Sequence, residues 1–193
     1  MNDLIFRQVR ILDGSGSAEF IGDVSVREGR INEVGAVTEP LAPSGREIVA
    51  DGAVLCPGLI DTHAHDDGAF FRHPGMQFKL SQGVTTVVSG NCGFSAIPAD
   101  PTKDSVAASG GILAGLEGEF TDLDGYYAAA LSRQPAINNM MLVGHNTVRS
   151  LVMGDSRSAP SDLQLQEMQR RSRRGRWWVA IATVAAVAAW VSH

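Results

Sequence analysis

The most constraining feature of this 193-residue chain lies between residues 54 and 65. Val54-Leu55-Cys56 is a short apolar run, and Leu59-Ile60-Asp61-Thr62-His63 resumes it beyond Pro57-Gly58. A buried strand leading into a polar tip fits this pattern best. The tip is His63-Ala64-His65. Side chains two apart in a strand face the same way, so both imidazoles point to one side. Imidazole is a good ligand for zinc and similar metals. Asp61 stands two residues before His63, where a carboxylate can orient a ligating ring. A His-X-His pair is also compatible with a purely structural role, so support is needed from elsewhere in the chain.

That support comes from a second strand. Val84-Thr85-Thr86-Val87-Val88 is strongly β-branched, and Gly90-Asn91-Cys92-Gly93 turns it sharply. Thiolate binds zinc strongly, and flanking glycines let the backbone bend around a metal. Many cysteines are buried and inert, which suits Cys56 inside its apolar run better than Cys92 in a polar turn. Asp66 and Asp67 follow the histidines directly; alone they would be solvated loop carboxylates, and beside a metal they could position water or substrate. His73 precedes a proline and reads as surface. His145, after the apolar run Met140–Val143, either touches substrate or caps its loop.

The surrounding pattern sets the fold class. Residues 1–52 read as short strands, with a turn at Asp13-Gly14 and a hairpin across Glu28-Gly29-Arg30. Residues 76–82 predict a short helix ended by Gly83. Thr121 with Asp124 resembles a capping box, followed by the helical face Leu123, Tyr126, Tyr127, Ala130 and Leu131, closed by Pro135. Met140–Val143 predicts a buried strand, and Ser161 with Gln164 opens a further helix. Strands alternating with helices argue for an α/β parallel sheet or barrel. Sixteen Lys and Arg against 21 Asp and Glu give a net charge of −5, which offers no reason to expect a nucleic-acid partner. Two cysteines are no disulfide framework, and Asp3, Arg7, Gln8 and Arg10 interrupt any N-terminal signal core; a cytoplasmic location is expected.

Cys56-Pro57-Gly58-Leu59-Ile60-Asp61-Thr62-His63-Ala64-His65 resembles the first barrel strand of the amidohydrolase superfamily. Asp66-Asp67, the stretch Gly83–Gly93 and the stretch Leu142–Arg149 are similar to the narrower N-acyl-D-amino-acid deacylase branch. The likeness covers roughly residues 1–169. It implies an N-terminal β-sandwich part (1–52) and the first strand-helix units of a TIM-type (β/α)8 barrel (53–169). It implies His63, His65 and Cys92 as zinc ligands; Asp61, Asp66, Asp67 and His145 remain the candidates for supporting a ligand or meeting substrate. The implied activity is metal-assisted hydrolysis of an N-acyl-D-amino acid to a carboxylate and a free D-amino acid. Zinc lowers the pKa of bound water to about 7, and an aspartate shuttles the proton.

The same resemblance shows what the 193 residues do not supply. Two further metal-binding histidines and the general-base aspartate are expected beyond the end of this chain, so the chain alone is expected to be inactive. Residues 170–193 depart from the pattern: five arginines crowd between 170 and 176, and all three tryptophans lie there. A shifted reading frame is one account. A membrane anchor is the other, but Trp177 to Val191 would make a helix of only about 22 Å, short of the roughly 30 Å hydrocarbon core. A membrane partner is therefore not expected. The rival functional readings are another amidohydrolase acting on a different non-peptide C–N bond, and a non-catalytic metal-binding or membrane-attached protein.

Overall fold

The computed structural model describes residues 1–116, 120–173 and 189–190. The chain divides into two compact units, with the boundary between Leu59 and Ile60. The tail expectations for Trp177 and Trp178 fall outside the described residues. Among the described residues no helix is long and apolar enough to cross a membrane.

The first unit is built on one long strand, β1 (Asn2–Ile11). It pairs antiparallel with β2 (Phe20–Arg27), which turns through Glu28-Gly29 into β3 (Arg30–Gly35), the hairpin expected from the sequence. On its other side β1 runs parallel first to β4 (Leu41–Val49) and then to β5 (Val54–Leu55). The change of partner happens at Gln8, which has φ 54° and breaks the register between Phe6 and Val9. Its freed amide donates to Asp23 Oδ1 at 2.9 Å, so the bulge costs no buried donor. Ile5, Phe6, Val9, Ile11, Val24 and Leu55 are buried. A short strand, β9 (Ala189–Trp190), pairs antiparallel with β5.

The second unit holds a three-stranded sheet in the order β6 (Leu59–Asp61), β7 (Val84–Ser89), β8 (Asn138–Met141), with β7 and β8 parallel. Two short helices, α1 (Ala69–Arg72) and α2 (Gln77–Leu80), link β6 to β7. Helices α3 (Ser105–Ala108) and α4 (Leu123–Ser132) precede β8, and α5 (His145–Met153) and α6 (Asp162–Arg173) follow it. The core is aromatic: Phe71, Phe120 and Tyr126 meet pairwise with ring centroids 5.1–5.3 Å apart. Such contacts add to the area they bury.

Four details correct the sequence reading. Residues 54–63 are not one buried strand. Pro57-Gly58 ends β5, whose partner is β1, and β6 begins a different sheet. Leu59 and Ile60 are 54% and 61% exposed, whereas a strand buried on both faces needs a packed layer on each. The cap of α4 is Asp122, not Thr121: Asp122 has extended backbone and its carboxylate accepts from the Gly125 amide at 2.9 Å. On that helix Leu131 is 46% exposed, while Leu123, Tyr126, Tyr127 and Ala130 are buried as expected. The third strand lies earlier than Met140–Val143, ending at Met141.

The capping box of α6 forms as read: the Ser161 amide donates to Gln164 Oε1, and the Gln164 amide donates to Ser161 Oγ. Farther along α6, Arg171 pairs with Asp100 at 2.8 Å and with Glu167 at 2.7 Å. Hydrogen bonds from Thr102 and from Arg171 lower the Asp100 pKa from 3.8 to about 2. A carboxylate with a depressed folded-state pKa stabilises the fold above its ordinary pKa, and that contribution disappears as pH falls through the folded value. Asp100 should therefore support the second unit above about pH 4 and lose that effect towards pH 2. Asp100→Asn is expected to remove about 1 kcal/mol at neutral pH, solvent screening limiting the value. It should also flatten the acid limb of stability in that window, read by urea unfolding at a series of pH values.

Candidate metal centre

The geometry begins with one backbone hydrogen bond. The Ala64 amide, between the two histidines, donates to the Val88 carbonyl at 2.9 Å. This sets the tip beyond β6 beside the end of β7. Asn91 reinforces it: its Nδ2 donates to the Val88 carbonyl at 2.8 Å and to the Ala64 carbonyl at 3.3 Å. Ala64 is buried while His63 and His65 on either side are exposed. Burial therefore alternates over His63, Ala64 and His65, past the last β6 residue, while Thr62 is exposed like His63.

Cys92 reaches the histidines through an unusual turn. Gly90 has φ 78°, and a Cβ there would lie 2.0 Å from the Leu142 carbonyl oxygen, so only glycine fits. Cys92 itself has φ 54° and ψ 19°, a left-handed conformation that few non-glycine residues adopt. Asn146, from the first turn of α5, donates to the Cys92 carbonyl at 3.3 Å and holds the turn from the far side. The result is a thiol aimed at the histidines: Cys92 Sγ lies 3.2 Å from His63 Nε2. Donor atoms of His63, His65 and Cys92 all lie within 4.8 Å of one another, and all three residues are exposed.

These distances suit a metal ion. With Zn–N near 2.0–2.1 Å and Zn–S near 2.3 Å, two donors on a tetrahedral zinc stand about 3.3–3.6 Å apart. The His63–Cys92 approach of 3.2 Å is close to that spacing, and all three donors lie within 4.8 Å of one another. Two imidazoles and a thiolate are also the donor types that zinc prefers.

The four remaining candidates divide. Asp61 accepts from the His63 amide at 3.1 Å through Oδ1 and from Lys79 Nζ at 2.7 Å through Oδ2. The Lys79 bond first, then the His63 amide, hold its carboxyl below the usual range. Asp66 pairs with the same ammonium at 2.9 Å. Burial pulls the Lys79 pKa down, but its bonds to Asp61 and Asp66 outweigh that and hold it above the ordinary lysine value. Asp67, read together with Asp66 from the sequence, turns the other way and is fully buried. Its Oδ1 accepts from the Ala96 amide at 3.0 Å, and burial raises its pKa against the backbone donors that surround it. Tyr126 Oη donates to the Asp67 carbonyl at 2.8 Å, and Asn139 and Ser89 continue that buried network. His145 opens α5 as an exposed residue outside the three-donor cluster. His73 is exposed and Cys56 half-buried.

Asn91 binds the histidine tip, Asn146 holds the Cys92 turn and Lys79 meets Asp61 and Asp66; the sequence reading names none of the three as a site residue. Asn91 alone left a signal, since it sits between Gly90 and Cys92 in the turn already marked.

An exposed thiol next to two imidazoles makes a direct prediction. Iodoacetamide should alkylate Cys92 in the metal-free chain, and excess zinc should protect it. His63→Ala and His65→Ala should each weaken that protection, by about 10-fold or more in the zinc concentration required. Peptide mass mapping separates Cys92 from Cys56.

Comparison with known proteins identifies the family. The Amidohydrolase family profile matches residues 46–191, a range that reaches into the arginine- and tryptophan-rich tail. N-acyl-D-glutamate deacylase of Alcaligenes xylosoxydans xylosoxydans is 39% identical over 168 residues, covering 87% of this chain and 34% of the relative. Among solved structures, N-acyl-D-glutamate deacylase from Bordetella bronchiseptica, complexed with zinc and a phosphonate inhibitor, is 38% identical. It has a TM-score of 0.75 and covers 88% of this chain and 35% of that one. A D-aminoacylase described as having a binuclear metal centre is 35% identical with a TM-score of 0.72, covering 95% of this chain and 37% of that one. The chain thus spans about a third of the length of the relatives it matches. With a His-X-His tip, a cysteine turn beside it and a family match over most of its length, this chain belongs to the amidohydrolase family.

Proposed function

We propose that this chain carries the opening metal-binding strands of a zinc-dependent N-acyl-D-amino-acid deacylase. In this reading residues 1–52 belong to a β-sandwich part and residues 53–169 to the first strand-helix units of a TIM-type barrel. The observation that carries the proposal is the convergence of His63, His65 and Cys92 from two successive strand ends. Similarity to N-acyl-D-glutamate deacylases supplies the substrate class, an N-acyl-D-amino acid.

His63 and His65 hold one side of the metal position, and Cys92 holds the other. Bound zinc would supply a water of lowered pKa and polarise the amide carbonyl. Asp61 fixes the backbone of His63 by accepting its amide. The loop after Cys92 is anchored to the core through Asp67 and the Ala96 amide, which limits motion of the ligand-bearing segments. Residues that complete the ligand set and move the proton would come from outside these 193 residues. The chain by itself should therefore bind metal without measurable hydrolysis.

The test is a graft. Residues 1–169 replace the matching segment of the Alcaligenes N-acyl-D-glutamate deacylase. The chimera should hydrolyse N-acyl-D-glutamate in preference to the L-enantiomer and should lose activity to a chelator. Cys92→Ala in the chimera should lower kcat/KM by at least about 100-fold. A folded, metal-loaded chimera whose turnover is indifferent to Cys92→Ala would refute the assignment.

A further inference from the structure

We infer that Lys79 is a positioning residue of the metal centre, stapling together the two ends of the segment that carries both histidines. The inference rests on the metal reading of His63, His65 and Cys92.

The segment runs from Asp61 to Asp66, with His63 and His65 between. Its first residue contacts Lys79 Nζ at 2.7 Å and its last contacts the same nitrogen at 2.9 Å. One ammonium therefore closes a six-residue arc at both ends. The arc's inner fixings are the Asp61 carboxylate on the His63 amide and the Ala64 amide on the Val88 carbonyl. Lys79 is placed for this by α2. Met76, which is fully buried and left-handed at φ 43°, starts that helix and anchors it in the core. The Lys79 side chain is only 18% exposed, unlike a freely solvated lysine. Ordering and partly burying it costs entropy and solvation that the two carboxylates must offset.

The staple has a second consequence. Asp61 and Asp66 both lie within 2.9 Å of one nitrogen and are close to each other. Without the cation they would repel each other, and they would be free to swing towards the metal as oxygen ligands in competition with imidazole. Lys79 occupies both, and so preserves a donor set of two nitrogens and one sulfur.

The test uses the full chain with Co(II) and zinc. Cobalt reports the thiolate through its sulfur-to-metal charge-transfer band and reports four-coordinate geometry through its visible bands. Zinc affinity follows by competition, and circular dichroism monitors the fold. Lys79→Met should weaken zinc binding by about 10–100-fold, the range typical of groups that support a ligand without touching the metal. It should also shift the visible cobalt bands towards a more oxygen-rich pattern while the fold is kept. Asp66→Asn, which removes one leg of the staple, should give a smaller loss in the same direction, and it decides the matter if Lys79→Met does not fold. Wild-type affinity and an unchanged cobalt spectrum in the folded variant would overturn the role of Lys79. Cys92→Ala separates the two levels: if it binds zinc as tightly as the wild type, the metal reading itself fails and this inference fails with it.

Discussion

The hydrogen bond from the Ala64 amide to the Val88 carbonyl is the contact on which the site depends. It lies between two exposed histidines, just past a strand only three residues long. A shift of one residue would turn His63 and His65 inward and put Ala64 outward, because strand side chains alternate. The register is held from several sides. Asn91 binds the carbonyls of Ala64 and Val88, Asp61 holds the His63 amide, and the buried side chain of Asp67 ties the following loop to Ala96. None of these contacts is strong alone; a single hydrogen bond contributes about 0.5–1.5 kcal/mol net. Acting on the same few residues, they leave the tip little freedom.

Cys92 presents the complementary problem. A left-handed non-glycine residue is disfavoured by roughly 1–2 kcal/mol, yet the turn places one there between two glycines with positive φ. The close approach of Gly90 to Leu142 leaves the turn little room to relax. Asn146 then holds the Cys92 carbonyl. Strained backbone persists where the surroundings over-determine it. Here the strain turns the thiol to within 3.2 Å of an imidazole instead of letting it point along the strand.

Much of this was legible in the sequence, for physical reasons that differ by region. The β-branched run Val84–Val88 and its glycine turn encode β7 locally, and the Ser161–Gln164 box encodes the start of α6 locally. The histidine tip was legible because a period of two survives without knowledge of strand partners. Most of the failures concern partners distant in the chain. Val54-Leu55 and Leu59–Asp61 read as one strand because nothing local says that the first pairs with β1 and the second lies beside β7. Leu59 and Ile60 look buried by composition, yet they are exposed because burial depends on neighbouring layers. Thr121 and Asp122 are both competent caps, and the backbone angles choose Asp122. Asp66 and Asp67 look alike in the sequence, but one meets Lys79 and the other enters the core. Lys79 itself gave no signal, since its function comes from two carboxylates 13 and 18 residues away.

His63, His65 and Cys92 bind one metal ion together in this reading of the site. Zinc-edge X-ray absorption of the metal-loaded chain tests it most directly, because it counts sulfur and nitrogen scatterers around the metal. A shared site gives one sulfur at about 2.3 Å and two imidazole nitrogens at about 2.0–2.1 Å, with the sulfur shell lost in Cys92→Ala. A first shell made only of nitrogen and oxygen in the wild-type chain would contradict it.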